Sequence, residues 1–531
     1  MPRVKKTVST EETVSRKRNT RKSKAEATTE LVVSSENIQQ EPIVETPAAV
    51  TGRIGDLVIS VPSQVSNQAN TEEKDIPSME AAPLNDIPAD VPVVLPLIGK
   101  LPETHNPEMG IFFIRPDELT IGDVAENTTR VMDSQGRVYP YGVIPKLPII
   151  ELAEGIRIDF NNGARVYIPP TAPDEEYRIK ILAKQYKVCL IDSVVKRGVF
   201  AQSNKKYYLD YIVEVYKKDA TTPFITQTND LQNKLVMIHM EGGGIGDSIA
   251  WFSSVNDFIK KHKCRVIVSI RKEIAEIFKP TYPHIRFIQE DETGHYKPFA
   301  SYFMGLFFNG DTDMQPLDFR LTGLHKTGAY ILGVNPDKIE APQVDLTAPR
   351  IIKEKYVVIS AQSTTQCKHW NNPHGWYNVV KYLKEKGYRV LCIDKDAVVG
   401  RDGRMNIIPY GSEDFTGALP LQERINIIKD ADFFIGLSSG ISWLAWCCKV
   451  PVVMISGFTE IYNEFYTPYR IINPIACKGC WNDARFTFDH HDFLYCPRNK
   501  GTANEFICTA AISPDHVIEV INTIPTFKAG E

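Results

Sequence analysis

The 531-residue chain is 43% hydrophobic and 24% charged, a balance that fits a soluble globular protein of roughly two to four domains. Its formal net charge of −4 gives nucleic acid no advantage as the main partner, and no apolar run reaches the about 18 residues that would span a bilayer. The first residues are basic but lack the apolar segment of a secretory leader, so a cytoplasmic location is expected. The ten cysteines then read as thiols or metal ligands rather than disulfides.

No Phe, Tyr or Trp precedes Phe112. Residues 1–95 begin basic ("MPRVKKTVSTEETVSRKRNTRKSK") and continue rich in Glu, Pro, Ser and Thr. Such a segment cannot bury enough surface to offset the entropy of ordering, and a disordered tail is expected. Its basic part is the one stretch whose charge would suit nucleic acid.

Residues 96–230 turn to strand patterns. "GIRIDFNNGARVYIP" alternates Ile156, Ile158 and Phe160, then Ala164, Val166 and Ile168, about Asn161-Asn162-Gly163, which predicts a hairpin. "KVCLIDSVV" and "YYLDYIVEVYKK" continue the pattern. A small β-rich domain is expected, with no catalytic constellation of its own.

From residue 231 strands and helices alternate, predicting two doubly wound domains over 231–345 and 346–531. In the first, "KLVMIHM" reads as a buried strand and "EGGGIGD" as a glycine turn. "DSIAWFSSVNDFIKKH" follows as one helix with Ile249, Phe252, Val255 and Ile259 on a common face. Such a turn presents free N–H groups and a positive dipole end. It lacks the spacing of a dinucleotide fingerprint and the Lys of a P-loop. Asp247 reads either as a helix cap or as a catalytic carboxylate.

In the second, the strand "YVVIS" runs into the loop "AQSTTQCKHWNNPHGW". Lys368 stands there at a strand's carboxyl end, either simply exposed or placed to neutralise a departing diphosphate in place of a divalent metal. His369, Trp370, Asn371 and Asn372 are candidates to contact a sugar or to structure the loop. The helix "GWYNVVKYLKEKG" and the strand "YRVLCID" follow, and Asp394 at that strand's end is a candidate for ribose or loop contacts. In "DADFFIGLSSGISWLAW", Ser438, Ser439 and Gly440 lead into a helix from near Ser442. That turn suits an anion at a helix N-terminus, or a plain serine cap. Cys477, Cys480, Cys496 and Cys508 then fit a tetrathiolate metal finger over residues 477–508, with zinc the default ion and iron the main alternative. His490 and His491 compete as ligands, but four thiolates complete the shell, so the metal is read as structural. Cys189, Cys264, Cys367, Cys392, Cys447 and Cys448 read as core.

Together, "GGIGDSIAWF", "STTQCKHWNNPHGW", "DADFFIGLSSGISWLAW", "PVVMISGF", "EFYTPYRIIN" and the four-cysteine segment resemble the bacterial autotransporter heptosyltransferases. These are iron-containing protein O-glycosyltransferases related to glycosyltransferase family nine, and the resemblance runs over roughly residues 100 to 525. It implies a GT-B fold, with two Rossmann-like domains preceded by the small β-rich domain and the tail. It implies inverting transfer of heptose from an ADP-heptose donor to Ser or Thr hydroxyls of an adhesin-like protein acceptor. It further implies iron in the cysteine finger and a homo-oligomer in the form of a large ring.

Carried over by motif, Asp247 is the catalytic aspartate and Lys368 the essential lysine. Ser439, Gly440 and Ile441, with Ser438, form the diphosphate turn. Gly243, Gly244 and Gly246 let acceptor and sugar approach closely, with Trp370 and Asn371 on the sugar-side loop. No DxD-like acidic pair lies near these loops, so no catalytic divalent metal is expected. Two other readings stay open. One is a glycosyltransferase for another nucleotide sugar or another acceptor, including nucleic acid recruited by the tail. The other is a non-catalytic sugar-binding or assembly protein on the same scaffold.

Overall fold

In the computed structural model, residues 114–132, 138–308 and 310–528 are described, with the short paired strands Arg53–Ile54 and Leu57–Val58. The rest of the tail expected over residues 1–95 lies outside the described residues.

The hairpin forms as its turn chemistry requires. Arg157–Asn161 pairs antiparallel with Arg165–Tyr167, Ile158 opposite Val166. Asn162 and Gly163 take φ values of 63° and 85°, the two positive angles of a type I′ turn. A Cβ at Gly163 would also lie 2.5 Å from the Lys205 carbonyl oxygen. The six alternating residues from Ile156 to Ile168 are all buried.

The hairpin's hydrogen bonding reaches beyond the β-rich segment expected to end at residue 230. Arg157–Asn161 runs parallel to Ala300–Phe303 and so extends the sheet of the first α/β unit. That eight-stranded sheet has the order Phe200–Gln202, Arg165–Tyr167, Arg157–Asn161, Ala300–Phe303, Leu235–His239, Arg265–Ser269, Arg286–Ile288, with Ile150–Glu151 beside Arg157–Asn161. Its seam is polar and satisfied. Buried Asp159 takes the Arg165 guanidinium at 2.7 Å, and Ser301 Oγ donates to Asn161 Oδ1 at 2.6 Å. The antiparallel sheet of Ile225–Thr228, Tyr211–Lys217, Glu176–Ala183 and Val188–Lys196 stands apart in its hydrogen bonding, as does the pair Thr128–Met132 with Val138–Pro145.

Within the first α/β unit, Leu235–His239 lies parallel between Arg265–Ser269 and Ala300–Phe303. The second unit is a six-stranded sheet in the order Glu413–Asp414, Arg389–Cys392, Tyr356–Ile359, Phe434–Leu437, Val452–Ile455, Arg470–Ile471. All its pairs are parallel. Numbered along the chain, that is the 3-2-1-4-5-6 order of a Rossmann sheet, whose ligands bind where the order reverses. The reversal falls between Tyr356–Ile359 and Phe434–Leu437, the strands that lead to the Lys368 loop and to Ser438.

The helix expected behind the glycine turn is broken into Ile245–Phe252 and Val255–His262. Ser253 and Ser254 donate their hydroxyls back to the Ala250 and Trp251 carbonyls, which competes with the helical ladder. The apolar face survives the break, with Ile249, Phe252 and Val255 buried. Among the described residues no helix is long and apolar enough to cross a membrane.

Candidate functional site

The fully buried strand Leu235–His239 delivers the glycine turn to its carboxyl end. Gly244 is the N-cap of Ile245–Phe252, and Asp247 Oδ2 accepts its backbone N–H at 2.6 Å. Asp247 is thus a cap in geometry, with one oxygen committed to the turn. None of Gly243, Gly244 and Gly246 has a positive φ; contact is what demands glycine. A Cβ on Gly243 would sit 2.6 Å from Asp247 Cβ and 2.7 Å from the Trp251 ring. On Gly246 it would meet the Trp443 indole at 2.7 Å, and on Gly440 the Ile245 Cβ at 2.9 Å. The space that glycine leaves at Gly243 and Gly246 is therefore filled by Trp251, Trp443 and the facing helix, where an approaching acceptor and sugar were expected.

In the second unit the loop after Tyr356–Ile359 is held from within. Asp394 accepts from Ser360 Oγ at 2.6 Å, Ala361 N at 2.9 Å and Gln362 N at 3.3 Å. Burial raises its pKa against the pull of those donors. Its carboxylate is spent on the loop backbone. His369 is buried, accepts the Ser363 N–H on Nε2 at 2.9 Å and is pushed by burial down to about 4. Trp370 donates Nε1–H to the Ile512 carbonyl at 3.0 Å, and Asn371 donates to the Gln366 and His369 carbonyls at 3.0 and 2.9 Å. Both brace the loop through these bonds, one of the two roles expected of them. Lys368 differs. Its Nζ lies 5.6 Å from the Phe458 ring centre, and among the described residues no carboxylate pairs with it.

Ser439 is the extended N-cap of the helix Gly440–Cys447 and makes no side-chain cap bond; its Oγ is buried without a partner. Ser438 Oγ donates to Glu464 Oε1 at 2.5 Å. Glu464 is buried, which pushes its pKa up, yet Arg470 at 2.6 Å and the Ser438 and Asn463 donors hold it below the usual value. Ile441 packs partly buried at the core's edge. The turn's serine and amides are thus fixed, and the first turn of the helix carries no side-chain cap.

Cys477, Cys480, Cys496 and Cys508 line one cavity, and Cys367 from the Lys368 loop joins them. All five are free thiols. Burial pushes Cys480 up to about 12 and raises Cys508 further, the expected behaviour of crowded thiols without an ion to stabilise thiolates. Among the described residues no three Cys, His, Asp or Glu side chains already stand in a metal-holding group. The donor set suits a thiophilic metal nonetheless, since five of the lining side chains are cysteines and no Asp, Glu or His lines the cavity. The finger also grips the first unit. Trp481 packs on Phe308 and Phe319 with ring centres 6.1 and 5.6 Å apart, and Asn482 donates to the Arg320 carbonyl at 3.0 Å.

Three residues escaped sequence reasoning. His490, weighed only as a rival metal ligand, stands within electrostatic reach of both key charges. Burial is the main cause lowering its pKa, Lys368 lowers it further and Asp247 raises it. Glu464 was visible only as part of a quoted motif. Glu241, at the mouth of the glycine turn, has a side chain only 7% exposed, and neither carboxylate oxygen has a hydrogen-bond partner. Its Oε1 lies 3.7 Å from His239 Nδ1, a juxtaposition with no sequence signature, because partnership is a tertiary property.

The family "Glycosyltransferase TibC, N-terminal domain" matches residues 153–219 and "Glycosyltransferase family 9 (heptosyltransferase)" matches residues 328–478. The autotransporter heptosyltransferase Aah of Escherichia coli is 46% identical over 383 residues, 72% of this chain and 96% of Aah. The crystal structure of the iron-containing dodecameric glycosyltransferase TibC of enterotoxigenic E. coli is 44% identical, with TM-score 0.69, covering 72% of this chain and 98% of TibC. TibC in complex with ADP-D-beta-D-heptose gives a TM-score of 0.70 at 42% identity, covering 74% of this chain and 100% of TibC. A more distant relative, BimC of Burkholderia thailandensis, is an inactive autotransporter heptosyltransferase, 33% identical over 71% of this chain and 88% of BimC.

Proposed function

Since the chain belongs to the autotransporter heptosyltransferases, we propose that it transfers heptose from ADP-heptose to Ser or Thr hydroxyls of a protein acceptor, with inversion at the anomeric carbon. The observation that carries this reading is the pairing of two charges at the carboxyl ends of two doubly wound sheets. Asp247 stands on one side and Lys368, without a carboxylate partner among the described residues, on the other, and His490 feels both.

The acceptor hydroxyl attacks the anomeric carbon as the bond from that carbon to the diphosphate oxygen breaks. Asp247 takes the hydroxyl proton; with Oδ2 held by Gly244, the working oxygen is Oδ1. Negative charge builds on the departing ADP. The Lys368 ammonium, the Ser439 hydroxyl and the amides of Gly440 and Ile441 stabilise it. No step requires a divalent ion. The Phe458 ring beneath Lys368 gives the ammonium a cation–π contact that helps to hold it in place.

Cys477, Cys480, Cys496 and Cys508 would hold one structural ion, iron on the strength of the family, zinc as the alternative. When bound, the ion would cross-link the finger and hold Trp481 against the first unit. We further infer a homo-oligomeric ring, since the relative TibC is dodecameric, and a cytoplasmic setting in which the thiols stay reduced.

A non-catalytic scaffold is the second reading, and the inactive relative BimC is the observation that favours it. Retention of both Asp247 and an unpaired Lys368 favours the enzyme. Mass spectrometry of adhesin-like acceptors co-expressed with this chain and an ADP-heptose pathway decides between them. Added mass of heptose on Ser or Thr is the expected result; unmodified acceptor would leave the scaffold reading.

A further inference from the structure

The cavity that gathers the four motif cysteines has a fifth sulfur in its wall. Cys367 is 4% exposed, lines the cavity with the other four, and precedes Lys368 directly in the short turn Gln366–Lys368. A tetrahedral thiolate site takes four sulfurs, and the finger supplies four without it. Cys367 therefore stands against the cage as a neighbour, on the loop that carries the donor-side lysine.

Several ties of that loop lead to the same finger, while others run to Asp394 and Asn406. Gln366 donates its N–H to the Phe493 carbonyl at 2.9 Å, and Phe493 lies between the second and third motif cysteines. Thr365 Oγ1 lies 3.1 Å from Cys367 Sγ, and Lys368 N–H closes the turn on the Thr365 carbonyl at 3.1 Å. Phe458, over which the Lys368 ammonium sits, lines the cavity as well. On the far side Asn371 and Asn372 bond to Thr509 and Ala510, next to Cys508. The turn bearing Lys368 is thus clamped to the cage at its sulfur, at its backbone and through the aromatic ring beneath the ammonium.

We propose that Cys367 is an outer-sphere thiol of the metal cage and a positioning residue for Lys368, so that the occupied cage presets the lysine for the diphosphate of the donor. The inference rests on the cage holding a metal. Outer-shell groups around a metal both orient its ligands and are oriented by them. Here the oriented group carries the charge partner of the leaving group. The metal then acts on the donor site through the protein, without touching substrate.

The test uses full-length protein purified with its metal. Metal content, the visible thiolate-to-metal absorption and ADP affinity by calorimetry are measured for the unmodified chain, Cys367→Ala and Cys367→Ser. Expected is one metal per chain in all three. In Cys367→Ala the absorption band should be displaced and ADP binding weakened by about tenfold, the scale of outer-shell substitutions. Cys367→Ser, which keeps a hydrogen-bonding group at the same point, should recover most of the ADP affinity. A Cys367→Ala protein with full metal, an unmoved band and unchanged ADP affinity would overturn the inference while leaving the cage intact. Loss of the metal from both variants would make Cys367 a direct ligand and overturn its outer-sphere role. An unmodified chain that holds no metal would instead remove the cage reading on which the inference stands. If the ion is zinc and the band is silent, cobalt-substituted protein supplies the absorption.

Discussion

Gly246 and Gly440 meet backbone to backbone between the two doubly wound units: a Cβ on Gly246 would lie 3.3 Å from Gly440 Cα, and one on Gly440 would lie 3.1 Å from Gly246 N. Two helix N-termini, each at the end of a buried parallel strand, are thereby pressed together. Their positive ends repel, and an anion between or beside them relieves that repulsion. The contact places the Asp247 turn and the Ser439 turn in one location.

Gly246→Ala tests the contact. Its methyl would press on the Trp443 indole, itself buried and unable to yield cheaply, so overpacking should cost about 1–3 kcal/mol. Calorimetry should show a lower unfolding midpoint, with ADP-heptose turnover falling further than stability explains. An unchanged midpoint would show that the helices separate freely.

Asp247→Asn separates the cap from the chemistry. The amide oxygen can still accept the Gly244 N–H, so the unfolding midpoint should hold. Transfer should fall by roughly a hundredfold or more, the scale of a general base, and ADP should still bind. Lys368→Ala should lose turnover along with much of its ADP affinity. Magnesium should restore neither. Undiminished glycosylation by Asp247→Asn would return that residue to capping alone.

The cage is expected to serve folding and assembly. Cys480→Ser or Cys496→Ser should lose the metal in elemental analysis and lower the unfolding midpoint. Interface contacts should loosen too, which hydrogen exchange at Phe308 and Phe319 would register. Fresh unmodified protein devoid of both iron and zinc would sink the cage, and visible charge-transfer absorption distinguishes iron from zinc.

Stability should fall with acid through buried imidazoles. Burial lowers His262, His325 and His369 to about 4, below the unfolded value of about 6.5. Between those values the unfolded chain binds protons that the native chain refuses, so stability is full above pH about 6.5 and declines as pH drops toward 4. His325 and His369 each contribute up to about 3 kcal/mol, and the more exposed, solvent-screened His262 less. His369→Gln should show a shallower decline of unfolding midpoint over that window than the unmodified chain. Equal slopes would mean that His369 is not buried neutral.

Much of the local architecture was legible in the residues. The Asn162-Gly163 turn needs two positive φ values, and its residue types announce them. Alternation from Ile156 to Ile168 announces a strand pair, and the periodicity of Ile249, Phe252 and Val255 a buried helical face. The CxxC pair with two later cysteines marks a thiol cage. These are properties of backbone preference and burial period, which neighbouring residues encode.

What side chains meet was decided by the order of the strands. The sequence offered no reason to place the hairpin at residues 157–167 beside a strand at residue 300, since a parallel pairing over that distance depends on the crossovers between. It could not show that Gly246 makes room for Trp443, because that contact joins two sheets. Trp370 and Asn371 had the chemistry of sugar ligands, yet Ile512, Thr509 and Gln366 claim them. Cys367 is core, as read from its sequence, but only the Rossmann reversal brings its loop to the finger. Local free energies set each turn and helix; only the packing of segments distant in the chain determines which thiol, which glycine and which charge become neighbours.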